Sequence, residues 1–150
     1  MDNRINQDLK AAMLSGDKQR VEVLKGIKNA FLYEAVSLQV KDVGLNEEQA
    51  QKVLARESKK RADAAELYKN AGATERAEAE KTEKVIIDTY LPKQLGETEI
   101  LITIKEEINN LGASSLTDMG KVIGAVKSRL GVAADGATVA GLVKKELEQK

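Results

Sequence analysis

Pro92 is the only proline in the 150-residue chain. Proline lacks an amide donor and disfavours helical geometry in the residue before it, so this chain has one enforced break and is otherwise open to helix. The remaining composition points the same way. The aromatics are Phe31, Tyr33, Tyr68 and Tyr90 alone, while Ala, Leu, Lys and Glu, all good helix formers, are abundant.

Helical periodicity fills the chain on both sides of the break. Ile5, Leu9, Ala12 and Met13 recur at helical spacing until Ser15-Gly16 interrupts them. Asp17 can then cap a second helix whose stripe is Leu24, Ile27, Phe31, Ala35 and Leu38. Val43-Gly44 reads as a turn, and Asn46 with Gln49 three residues on as a capping box. The third helix should run to about Asn70, where Gly72 can supply the left-handed residue that ends it. Thr74 is the expected cap of a fourth helix, which carries Val85, Ile86 and Tyr90 to the proline. Beyond it, Leu95 and Ile100 are spaced as a hydrophobic staple around a cap at Gly96. The fifth helix then uses Ile100, Leu101, Ile104 and Ile108 and stops at Gly112. A sixth, from Ser115 or Thr117, uses Met119, Val122, Ile123, Val126 and Leu130, and Asp135 caps a seventh with Val139, Leu142, Val143 and Leu147. The expected fold is all-α: a bundle of about four helices over residues 1–92, then a three-helix domain over 93–150. A domain as small as the second buries little surface and is marginal alone, so it is expected to lean on the first.

Charge and composition narrow the chemistry. Lys plus Arg number 24 and Asp plus Glu 24, with the balance equally even on either side of Pro92, so a nucleic-acid contact must come from a local patch. Cys, His and Trp are absent. Thiolate and imidazole nucleophiles go with them, as do metal sites built on sulfur or nitrogen, and only carboxylates, hydroxyls and amines remain. No metal or cofactor is expected. The absent cysteines suit a reducing compartment. The charged first 20 residues resemble no signal peptide, and no stretch approaches the roughly 20 apolar residues of a membrane helix. The expectation is a soluble cytoplasmic protein without a membrane partner.

Three constellations stand out. Glu57 and Arg61 sit at i, i+4 within the inward stripe Val53, Leu54, Ala64 and Tyr68 of the third helix. A buried carboxylate there could serve as a general acid or base; alternatively the two form a structural ion pair, with Glu80 and Glu83 as further partners. Second, Gly112-Ala113-Ser114-Ser115-Leu116-Thr117-Asp118-Met119-Gly120-Lys121 runs a hydroxyl-rich loop into a helix N-terminus with a lysine one turn in. That arrangement binds phosphate through amides and the positive helix end. It is equally a capping sequence, with Ser115 or Thr117 as cap. Third, Lys121, Lys127 and Arg129, with Lys144 and Lys145 beyond, give residues 111–150 a mild basic excess. No aromatic accompanies them to stack on bases. Binding, if to nucleic acid, would follow shape and phosphate.

Tyr90-Leu91-Pro92-Lys93-Gln94-Leu95, Gly112-Ala113-Ser114-Ser115, Asp118-Met119-Gly120-Lys121-Val122-Ile123-Gly124 and Ala134-Asp135-Gly136 together resemble the YqeY family, also described as GatB/YqeY domain proteins. The likeness spans nearly the whole chain. It implies a two-part helical fold whose C-terminal part is similar to the tail domain of the GatB subunit of the tRNA-dependent amidotransferase. In that enzyme the tail contacts the tRNA body, and the ammonia-handling and kinase chemistry lies in other domains. The resemblance therefore implies a binding surface without a catalytic centre, at Ser114, Ser115, Met119, Gly120, Lys121, Gly124, Asp135 and Gly136. One departure is that Val132-Ala133 stand where the family often has Gly-Arg; another is Ala73, where an arginine is common after Gly72.

The leading expectation is a non-catalytic protein that binds tRNA or a tRNA-handling partner. Ser114, Ser115, Thr117, Gly120, Lys121, Lys127 and Arg129 would form the phosphate-binding surface, and about three cationic contacts would give a salt slope of about −2 to −3. The alternative is an adaptor that binds protein in a groove between its two parts. An amidotransferase-like carbon-nitrogen ligase with glutamine as amide donor is the third, on the family label alone.

Overall fold

The computed structural model describes all 150 residues and contains helices, turns and no strand. The α-helices are α1 (Asp2–Ser15), α2 (Lys18–Ser37), α3 (Glu47–Asn70), α4 (Thr74–Asp88), α5 (Glu97–Leu111), α6 (Met119–Leu130) and α7 (Gly136–Glu148). Short 3₁₀ turns at Leu116–Asp118 and Gly131–Ala133 flank α6. The chain divides into two compact units, Met1–Leu91 and Pro92–Lys150.

Local chemistry sets most helix ends. Asp17 accepts a hydrogen bond from the Arg20 amide at 3.0 Å, and Asn46 and Gln49 bond each other's backbone amides reciprocally at 2.9 Å. Gly16 and Gly112 close α1 and α5 at φ 72° and 62°, a left-handed conformation nearly free of strain only for glycine. Gly72 turns at φ 75° one residue after the α3 cap. Thr74 departs from its expected role: it is the first residue of α4, Ala73 precedes the helix, and no side chain caps that end.

In the first unit α1 packs on α2, α3 on α4, and α2 on both members of the α3–α4 pair. Ile5, Leu24, Ile27, Leu54 and Ile87 are buried at its centre, and a fully buried side chain of this kind contributes roughly 1.5–3 kcal/mol of transfer free energy. Tyr90, also buried, donates its hydroxyl to Asp8, while the Arg4 guanidinium lies 4.7 Å from its ring centre. The end of α4 is thereby fastened to α1.

In the second unit α5, α6 and α7 each pack on the other two around Ile100, Ile104, Val122, Val126, Val139 and Val143. Leu95 packs against that core. Its amide donates to the Ala133 carbonyl at 2.8 Å, and Gln94 Nε2 donates to the Val132 carbonyl at 2.9 Å. The segment after Pro92 is thus stitched to the turn before α7. Within that turn Gly131 adopts φ 54°, ψ −139°, a region that a residue with a Cβ enters only under strain.

The polar anomaly of α3 resolves differently from the i, i+4 pair the sequence suggests. Arg61 turns away from Glu57 toward α4, with Nε 2.8 Å from Glu83 and 3.8 Å from Glu80. Glu57 pairs with Lys60 at 2.7 Å instead. The reason is rotation: the buried line of α3 is Ala50, Val53, Leu54, Ser58 and Ala65. Tyr68 is only partly buried and Ala64 gives way to Ala65, so Arg61 lies at the α3–α4 seam, within reach of the neighbouring helix.

Candidate nucleic-acid interface

The residues singled out between Gly112 and Gly136 all belong to the second unit, on α6, the segments that flank it and the start of α7. After α5 ends, Ala113 is buried while Ser114, Ser115 and Thr117 remain exposed. The Asp118 carboxylate folds back over this loop and accepts from the amides of Ser114 at 3.0 Å and Ser115 at 3.3 Å. Those two amides hold its pKa below the usual carboxylate range, with a smaller contribution from the charge of Lys121. Ser115 and Thr117 share a hydrogen bond between their hydroxyls at 2.6 Å. Part of the loop that the sequence offers to a phosphate is therefore satisfied by the chain's own carboxylate. Neither Ser115 nor Thr117 is the residue before α6, a position that belongs to Asp118 at the end of the 3₁₀ turn.

Along α6, Val122 and Val126 are buried and Met119 lies partly buried against the same core, which fixes the rotation of the helix. Gly120, Lys121, Gly124 and Lys127 consequently face outward or sit at the rim. A Cβ at Gly120 or Gly124 would meet no atom within 4 Å. Packing inside the chain does not require glycine at either position, although each disfavours the helix by roughly 0.5–1 kcal/mol relative to Ala. Lys127 reaches α7, its Nζ 3.2 Å from where a Cβ on Gly136 would stand, so glycine at 136 makes room for this ammonium. Asp135 caps α7 by accepting from the amide and hydroxyl of Thr138, both at 2.9 Å.

Arg129 does not join this surface. Its guanidinium bonds Glu107 at 2.7 Å and Glu106 at 2.8 Å, both on α5. The Glu107 side chain is only 11% exposed, which makes Arg129 the counter-charge of a nearly buried carboxylate. Sequence spacing could not reveal this, because the partners lie 22 and 23 residues upstream. The signal that was available was Glu107 itself, an acid within the apolar stripe of α5.

The cationic surface that remains is Lys121 and Lys127, six residues apart on α6 with the open glycines beside them. No group of three carboxylates is placed to hold a metal ion, and no helix is long and apolar enough to cross a membrane.

The family model described as Yqey-like protein matches residues 2–147. The chain belongs to the YqeY family. Compared with curated proteins, it matches none. The residues on which the sequence resemblance rests divide between the units: Tyr90 and Leu91 lie in the first, with Tyr90 buried, while Pro92, Met119, Gly124, Asp135 and Gly136 lie in the second, with Met119 packed against its core. In this YqeY chain Asp135 and Gly136 shape the α7 N-terminus against which Lys127 rests.

Proposed function

We propose that this YqeY-family chain is a non-catalytic binding protein that engages tRNA through its C-terminal three-helix unit. Lys121 and Lys127 contact backbone phosphates, and Gly120 and Gly124 let the sugar-phosphate chain approach the α6 backbone. The observation that carries the reading is the combination on one helix face: two exposed lysines beside two glycines that no internal packing explains. The resemblance of this unit to the GatB tail supports tRNA as the ligand. Contacts of this kind carry no base code, so recognition follows the shape of the RNA.

The test is a fluorescence titration of intact tRNA at several salt concentrations, with wild type and the double variant Lys121→Ala/Lys127→Ala. Two phosphate contacts give a plot of log binding constant against log salt with a slope of about −2, and the variant flattens it toward zero. A variant that binds like wild type, or a wild type that fails to bind at low salt, defeats the reading. A protein-adaptor role then takes its place.

A further inference from the structure

The α3–α4 hairpin is not held in the same way along its length. Its inner end feeds the core of the first unit through Ala50, Val53, Leu54 and Ile87, each at most 2% exposed. Outward of that layer the hairpin buries only Ser58, Ala65 and Ala77. Of its larger side chains there, Leu67 is 70% exposed and Tyr68 is only partly buried.

Polar contacts take over where apolar burial stops. Ser58 Oγ donates to one oxygen of Asp88 at 2.5 Å and Lys84 Nζ to the other at 2.5 Å. One turn farther out, Arg61 lies between Glu83 and Glu80. Arg61 Nε and Glu80 Oε2 are shut off from solvent without completing a hydrogen bond. At the tip the Arg76 guanidinium sits 5.7 Å from the Tyr68 ring centre.

These contacts differ from apolar burial in what opening does to them. Exposing a large apolar core is opposed by the whole hydrophobic term, so such segments open only with the entire unit. Partly buried hydrogen bonds and ion pairs exchange for water at a smaller net loss than an apolar core, and the two buried unsatisfied atoms gain partners on exposure. We propose that the outer half of this hairpin, residues 59–83, is a separately opening arm. The Ser58–Asp88 bond is its latch and Arg61 its clamp, and the core of the first unit stays folded when the arm opens. A ligand that touched only the closed arm would have its affinity scaled by the closed fraction.

Amide hydrogen exchange on the full chain, resolved by residue, tests this without any variant. Residues 62–82 should exchange at least about tenfold faster than 23–31 and 50–54, through openings that denaturant barely accelerates. Arg61→Ala leaves the Glu80 and Glu83 carboxylates of the closed seam without their counter-charge, so it should speed the arm about tenfold more and leave residues 23–31 unchanged. Three results overturn the proposal: arm and α2 amides exchanging at the same free energy, Arg61→Ala lowering protection throughout the unit alike, or the variant leaving the arm's rate untouched.

Discussion

Tyr90 carries the sharpest stability prediction. Its ring is buried and its hydroxyl donates to Asp8, which joins the end of α4 to α1. The phenol is pushed up to about 12. Burial is the main cause because it disfavours phenolate, the adjacent Asp8 carboxylate adds to it, and Arg20 opposes it. These causes act differently on Tyr90→Phe. Burial of the phenol does not stabilise the neutral fold, so phenylalanine loses only the bond to Asp8. A hydrogen bond to a charged group contributes about 1.5–3 kcal/mol, and Asp8 is 34% exposed, so we take the lower end, about 1.5 kcal/mol at neutral pH.

Alkaline pH provides the control. A group whose folded pKa is raised contributes stability that is complete below the unfolded value, here 10.0, and is lost as pH rises toward about 12. Phenylalanine has no such loss. The stabilities of wild type and variant should therefore converge as pH rises and meet near about pH 11, above which the variant is the more stable. Urea unfolding followed by circular dichroism between pH 7 and 11 measures both curves, and lysine titration is common to the two proteins and cancels in the difference. A variant within about 0.5 kcal/mol of wild type at neutral pH, the range expected of an unconstrained surface change, or a difference that does not change with pH, refutes the assignment of Tyr90 as a buried neutral donor.

Other consequences are as direct. Arg129→Ala should destabilise the second unit and lower its melting temperature because it strands Glu107, and Arg129→Ala/Glu107→Leu should recover part of the loss; thermal unfolding of the set checks it. Asp118→Asn should weaken the loop before α6, and because the Asp118 pKa is depressed in the fold, the gap between wild type and variant should be present at neutral pH and close as pH falls below about 4. Gly124→Ala should raise the stability of α6 by up to about 1 kcal/mol, since a Cβ there meets nothing, and should weaken tRNA binding in the same titration used for the lysine pair.

Short-range features were legible in the sequence because their causes are short-range. Asp17, the Asn46–Gln49 box, and Gly16 and Gly112 act on amides or carbonyls within four residues, so spacing alone determines them. The seven helices follow from apolar periods, and the resemblance over the motif segments is matched by the family model. What was missed depended on how one helix faces another. The sequence offers Glu80 and Glu83 as further partners of Arg61, but the i, i+4 pairing of Arg61 with Glu57 fails because the rotation of α3 against α4 puts Glu83 nearer. Arg129 is drawn to Glu107 because α5 and α6 are adjacent across a core, a fact absent from the local pattern. The α4 start was misread at Thr74 for a smaller reason: Gly72 and Ala73 already complete the turn, so the helix begins at the threonine itself.

Arg129 and Asp118 change what the proposed surface can do. With Arg129 tied to α5 and Asp118 occupying the loop amides, the cationic contacts fall from about three to two, and the salt slope from as much as −3 to about −2. Each phosphate neutralised by a lysine adds sequence-independent attraction, so two of them leave little affinity that charge alone can supply. On the proposed reading affinity must then depend on surface fit, and the open α6 backbone at Gly120 and Gly124 is where a sugar-phosphate chain would approach. This ranks the variants. If fit dominates, Gly124→Ala should weaken tRNA binding more at high salt, where the lysines are already screened, than Lys121→Ala does, and the order should reverse at low salt. Two variants that keep one order at every salt concentration would show that a single kind of contact carries the interaction, and the division of labour between glycine and lysine would be wrong.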